Sequence, residues 1–280
     1  MGHFVLSPRN MNPRNWLPVL SYPDDKMVAL GRASLGEFFG MFVWMFVALG
    51  SVPSVEATLG ELAIKPESLL VISIAFGIGI SIAVYMMAEV SGAHFNPTVS
   101  FSLMLLKRIS VIRCIAYMLA QLAGSVVGAG ALRLFITRHQ AAISTLGATK
   151  LAPEIEWYQG IYIEAMLSTI LNFCAIGMAT YPFGRTVTPE SRWSKVGPGN
   201  NTAIAVGMLV TVLNIGGIPT TGASMNPARS FGPALISWDW SNHEVYWIGP
   251  FIGCIVGTLL SLFLLVHLDA EEEDNKNFEI

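Results

Sequence analysis

Six stretches of this chain are predominantly apolar, near 33–52, 69–89, 111–135, 158–180, 203–219 and 245–267, and most polar residues gather between them. Each stretch is long enough to cross a ~30 Å hydrocarbon core as a helix. Helices are required because lipid offers no partner to unpaired backbone groups. Two shorter apolar stretches run from Thr98 to Leu106 and from Ala228 to Ile236. At about ten residues and ~1.5 Å per residue, each reaches only about half of that core. The pattern predicts an all-α membrane protein with six transmembrane helices and two re-entrant half-helices.

Composition agrees with the pattern: 53% of the 280 residues are hydrophobic and 12% charged, against roughly 25% charged in an ordinary soluble domain. A sizeable separate domain has no room. The organisation expected is an N-terminal segment 1–32, a membrane domain 33–267 (repeat one about 33–135, repeat two about 158–267) and an acidic tail 268–280 carrying Asp269, Glu271, Glu272, Glu273 and Asp274. A net charge of −3 does not suggest a nucleic-acid partner. Cys114, Cys174 and Cys254 sit inside apolar runs without metal-ligand spacing, so no metal and no cofactor is expected. The first 32 residues hold no long apolar run, and no cleavable signal peptide is expected there. Eleven of the sixteen Lys and Arg residues, among them Arg9, Arg14, Lys107, Arg108, Arg185 and Lys195, fall on the side that holds the N-terminus. Both termini are therefore expected in the cytoplasm. Small residues four apart, Gly36 and Gly40, Gly124 and Gly128, Gly253 and Gly257, predict close helix approaches.

The chain also repeats itself. Residues 91–100, from Ser91-Gly92-Ala93-His94-Phe95-Asn96-Pro97-Thr98 to Ser100, recur as 221–230, from Thr221-Gly222-Ala223-Ser224-Met225-Asn226-Pro227-Ala228 to Ser230, at an offset of 226 − 96 = 130. A glutamate in a membrane span precedes each box, Glu37 the first and Glu164 the second. Three spans per copy is an odd number, so the second copy must run inverted to the first. Pro97 and Pro227 suit the first position of a helix, and Asn96 and Asn226 suit the cap before it. Two half-helices related by the inversion meet with their N-termini near the membrane midplane. Irregular backbone at that depth must be buried in protein or line a wet cavity. The loops 91–95 and 221–225 are thus expected to line a path, and two positive dipole ends at its centre disfavour cations and protons.

These paired boxes, Asn96-Pro97-Thr98 and Asn226-Pro227-Ala228, with Arg229 after the second, resemble those of the aquaporin (major intrinsic protein) family, and the resemblance covers nearly all of 33–267. It implies a selectivity filter built from Phe76, Asn214, Ala223 and Arg229, and a homotetramer with one pore per subunit. Asn214 departs from the histidine that water-selective members usually carry, and Thr98 replaces the usual alanine. Ser230, Ala234 and the pair Tyr246-Trp247 resemble the water class. The function expected is passive, single-file water conduction that excludes protons and ions. The alternatives are a channel for glycerol or another small neutral solute, and a proton-coupled secondary transporter. No Ser–His, Asp–Asp or metal-ligand set falls at matching depth, so an enzyme is not expected.

Several residues admit two readings. Arg229 is either a pore cation or an anchor reaching for the interface. Phe76 alone is an ordinary core aromatic. Glu37 and Glu164 could relay protons, whereas a symmetric pair accepting backbone N–H bonds from the loops needs no titration. His94 is a pore-wall group or a support for its loop. Asn200-Asn201-Thr202 matches a glycosylation sequon on a loop expected in the cytoplasm. The connection 181–201 is long enough to fold over the cytoplasmic mouth, with Val187 or Trp193 as a plug and Ser191 and Ser194 as phosphorylation sites, or to be a plain surface loop. The N-terminal segment with Trp16 and Tyr22 is a rival plug.

Overall fold

The computed structural model describes residues 20–21, 25–59, 65–180 and 200–266. Among these, six helices are long and apolar enough to cross a membrane. They belong to α1 (Met27–Leu59), α2 (Pro66–Ser91), α4 (Val111–Phe135), α6 (Trp157–Thr180), α7 (Asn200–Thr221) and α9 (Val245–Ser261). The two half-helices are α3 (Pro97–Leu105) and α8 (Pro227–Ser237). The protein is an all-α membrane protein whose two halves form an inverted repeat.

Two features differ from the hydrophobic pattern. α1 starts at Met27 and not near 33, because Arg32 is a good helix former and does not interrupt the ladder, whose first turn closes with Leu30 N–H on the Lys26 carbonyl at 2.8 Å. The stretch between α4 and α6 carries a short helix α5 (Arg138–Ser144) and a 3₁₀ turn over Thr145–Gly147. Thr137 and Gln140 close a capping box at its start: the Gln140 N–H donates to the Thr137 hydroxyl, and the Gln140 side-chain oxygen accepts the Thr137 N–H. Such a box is written in residue identity and has no apolar period to announce it.

The halves pack alike: α1 lies against α4, α6 against α9, and α2 meets α7 across the junction. Small residues set these distances. A Cβ at Gly128 would stand 2.8 Å from the Phe42 carbonyl of α1, and one at Gly257 would stand 2.7 Å from the Thr169 carbonyl of α6. Gly77 and Gly207 play that part between α2 and α7, where a Cβ on either would run into the other's carbonyl. Backbones this close gain dispersion contact that lipid cannot supply from one side alone. The outer faces stay apolar and exposed, as at Leu70, Ile78, Leu119, Met208 and Leu259, as a lipid-facing surface requires.

Candidate functional site

Each half-helix starts as its residues dictate. Asn96 (φ −153°) and Asn226 (φ −153°) cap α3 and α8, each followed by proline at the first helical position. Asn226 Oδ1 accepts from the N–H groups of Ala228 (3.0 Å) and Arg229 (3.2 Å). Asn96 Oδ1 accepts from the Thr98 N–H and the Thr98 hydroxyl, both at 2.9 Å. The amides then reach across the junction: Asn96 Nδ2 donates to the Met225 carbonyl (2.9 Å) and Asn226 Nδ2 donates to the Phe95 carbonyl (2.8 Å). One amide hydrogen remains on each asparagine, and both residues line a common cavity.

The loops before the boxes are held in an uncommon backbone shape. Gly92, Ala93 and Phe95 have φ of 91°, 53° and 47°, and Gly222, Ala223 and Met225 have φ of 80°, 50° and 53°. The left-handed region costs a non-glycine residue ~1–2 kcal/mol, so the surroundings must hold it. Glu37 accepts from the N–H groups of His94 (2.9 Å) and Phe95 (2.7 Å), the Ser91 hydroxyl (2.6 Å) and Gln121 Nε2 (2.8 Å). Glu164 accepts from the N–H groups of Ser224 (2.9 Å) and Met225 (2.7 Å) and the Thr221 hydroxyl (2.6 Å). Both carboxylates are 0% exposed. The carbonyls of Phe95 and Met225 are taken by the asparagines, which leaves the Ala93, His94, Ala223 and Ser224 segments on the cavity wall. His94 contributes to that wall and is also fixed, with Nδ1 3.0 Å from the Ser100 hydroxyl and its ring edge-on to Tyr117. In the other half Ser224 and Ser230 hold the same relation at 2.6 Å.

Phe76, Asn214, Ala223 and Arg229 come together on the same cavity, whose volume is about 110 Å³; that is room for several water molecules in a row. The Arg229 guanidinium carbon lies 4.6 Å over the Phe76 ring, and Nη1 donates to the Gly147 carbonyl at 2.7 Å. Asn214 Nδ2 and Arg229 Nε are buried without an acceptor among the described residues. Phe76 is steadied by Trp44, whose indole N–H donates to its carbonyl at 3.0 Å and whose ring meets it edge to face.

Several contributors escaped the reading of the sequence: Gly147, Trp44, Gln121, Asn172 and Thr149, whose hydroxyl lies 2.8 Å from that of Ser230. The repeat could have directed attention to Asn172, because it stands eight residues after Glu164 (172 − 164 = 8) where the first copy has Met45 (45 − 37 = 8). Tyr22, Val187, Ser191, Trp193 and Ser194 lie outside the described residues, as do Trp16 and the tail from 268.

Residues 25–261 match the family described as major intrinsic protein. The chain is 36% identical over 234 residues to the lens fiber major intrinsic protein of Lithobates pipiens, covering 84% of this chain and 81% of that protein. It is 35% identical over 243 residues to aquaporin-2 of Rattus norvegicus (86% and 81% covered), and 33% identical over 240 residues to a probable aquaporin, TIP3-2, of Arabidopsis thaliana (84% and 84% covered). Its fold matches the X-ray structure of the aquaglyceroporin from Plasmodium falciparum with a TM-score of 0.70 at 22% identity, covering 85% of this chain and 99% of that one. With its paired asparagine caps, inverted halves and these relatives, the chain belongs to the major intrinsic protein family, the aquaporins, as a multi-pass membrane channel.

Proposed function

We propose that this chain conducts water passively in single file and excludes protons, ions and most larger solutes. The observation that carries this reading is the closed approach of Arg229 to Phe76, 4.6 Å from guanidinium carbon to ring centroid, beside Asn214 and Ala223 on one narrow cavity. Asn214 Nδ2, Arg229 Nε and the free amide hydrogens of Asn96 and Asn226 are donors spaced along otherwise mostly apolar walls. Buried donors need acceptors, and a file of water oxygens supplies them one after another. A solute with carbon-bound hydrogens loses hydration in such a passage without replacement. The two half-helix N-termini and Arg229 put positive charge where a cation would have to pass.

Glu37 and Glu164 are engaged by the loop N–H groups they accept. That favours a supporting role for them over proton coupling. The family resemblance supports a homotetramer with one pore per subunit. The bias of basic residues supports termini in the cytoplasm.

Conduction of glycerol is the second reading, favoured by Asn214, a smaller side chain than the histidine that water-selective members of the family usually carry. Stopped-flow light scattering of proteoliposomes, run with an impermeant osmolyte and then with glycerol, separates the two. Fast water and slow glycerol are expected. Comparable rates would overturn strict water selectivity.

A further inference from the structure

Asn226 Oδ1 accepts two backbone N–H groups, but Asn96 Oδ1 accepts one backbone N–H and one side-chain hydroxyl, that of Thr98. A backbone N–H points where the helix puts it. A hydroxyl turns about its C–O bond and keeps one direction only if its surroundings impose it.

Asn172 imposes it. Its Nδ2 donates to the Ser168 carbonyl (2.9 Å), a group that can only accept, so the orientation of the amide is settled. The second hydrogen of the same Nδ2 then faces the Thr98 hydroxyl oxygen at 3.2 Å. Asn172 Oδ1 accepts from the Ser102 hydroxyl (3.0 Å). The Cys254 thiol gives its hydrogen to the Thr98 carbonyl at 3.1 Å. Because Thr98 Oγ1 accepts from Asn172, its own hydrogen is directed to Asn96 Oδ1. Asn96 is thereby held with Nδ2 towards the Met225 carbonyl and the cavity. Thr98 and Asn172 are both 0% exposed, and the inverted repeat relates Thr98 to Ala228 in the second half and Asn172 to Met45 in the first, also 0% exposed. Each pair takes one residue from each half: the pair at α3 is polar and bonded, and its symmetry mate at α8 is apolar.

We infer that Asn172 is a positioning residue for the Asn96 amide and acts through the Thr98 hydroxyl, so that Asn96, Thr98 and Asn172 work as one unit in solute passage. The inference rests on the channel reading above. It deepens that reading by assigning a role to a residue in the middle of a membrane helix that touches no permeant.

The experiment measures water and glycerol permeability per folded protein in proteoliposomes for the parent and for Thr98→Ala, Thr98→Ser, Asn172→Leu and the double variant Thr98→Ala/Asn172→Leu. Loss of one neutral hydrogen bond should lower permeation of the conducted solute by about threefold to tenfold in Asn172→Leu. Thr98→Ser should stay within about twofold of the parent, because it keeps the hydroxyl. In the Thr98→Ala background Asn172→Leu should change nothing further, and the water-to-glycerol ratio should shift in Thr98→Ala and in Asn172→Leu but not in Thr98→Ser. A merely structural asparagine would alter folded yield and leave permeability per folded protein and that ratio as in the parent. An equal fold-change in both backgrounds, or an unaffected Asn172→Leu in a conducting parent, overturns the inference. Should Asn172→Leu not fold, Asn172→Ala, too short to reach Thr98, carries the same expectations. A parent that conducts neither solute overturns the channel reading itself, an outcome distinct from a conducting parent with indifferent variants.

Discussion

The guanidinium of Arg229 lies over the ring of Phe76, 4.6 Å from its centroid, and is tethered from the other side by the Gly147 carbonyl at 2.7 Å. A cation so placed has a fixed position without a carboxylate partner at hydrogen-bond distance among the described residues, on the wall of the cavity. Aromatic face and peptide dipole stabilise it without neutralising it.

Removing that charge should separate ion exclusion from water flow. Arg229→Val leaves the caps at Asn96 and Asn226 untouched, since Arg229 serves Asn226 through its backbone N–H. Proton or cation leak, read with a pH-sensitive dye in loaded liposomes, should rise while water permeability persists. A variant as proton-tight as the parent would leave exclusion to the half-helix dipoles alone.

The size of the constriction can be tested at Asn214. Asn214→His adds bulk to the cavity wall that Asn214 shares with Phe76 and Arg229, so any glycerol permeability should fall by more than water permeability does. If both fall by the same factor, Asn214 does not set the cut-off.

Much of this site is legible in the sequence because its chemistry is local. Asn-Pro announces a helix start by cap and first-turn preferences alone, and the repetition of 91–100 in 221–230 locates the partner loops without any structure. Glu37 and Glu164 stand out as charges inside apolar spans. Trp44, Gln121 and Asn172 do not, because a predominantly apolar helix has no period that says which face meets the cavity and which meets lipid. Gly147 stays hidden for a different reason: it lies in the turn Thr145–Gly147, where Thr145 and Leu146 also have positive φ and no residue pattern marks the shape.

Helix spacing gives a stability test with an internal control. A Cβ at Gly232 would meet the Ser125 backbone of α4 at 2.6 Å, pushing α8 away from its neighbour, whereas Gly216 has nothing within 4 Å. Gly232→Ala should cost about 1–3 kcal/mol through overpacking. Gly216→Ala should be neutral or gain up to ~1 kcal/mol from helix propensity. Thermal unfolding in detergent reads both, and equal shifts would contradict the close α4–α8 contact.

The segment that backs the second loop carries an ion pair with a defined pH dependence. Lys150 Nζ stands 2.7 Å from Asp239 Oδ2, and that bond, against a smaller opposing effect of burial, holds the Asp239 carboxyl below its usual 3.8. A folded-state value below the unfolded one means a stabilisation that is present above about 3.8 and fades as pH falls through the lowered value. The difference in melting temperature between the parent and Lys150→Met should therefore be largest near neutral pH, diminish in acid, and shrink with added salt. A difference constant down to strong acid would assign the effect to packing of the lysine stem.

Ala223 offers a chemical test of which way the second loop faces. It lies on the cavity wall with Asn214 and Arg229, 2% exposed, with its backbone held by Glu164 through the two residues that follow it. The native cysteines Cys114, Cys174 and Cys254 are absent from that wall among the described residues. The parent should therefore be weakly inhibited by mercurials. Ala223→Cys adds one sulfur at a position that already tolerates a Cβ at φ 50°, and a thiolate there binds mercury covalently. A mercury adduct in a cavity of about 110 Å³ leaves little room for a continuous file of water. Water permeability of Ala223→Cys should drop steeply on mercurial addition and return with excess thiol. Insensitivity of a folded, conducting variant would mean that this loop turns its side chains away from the path.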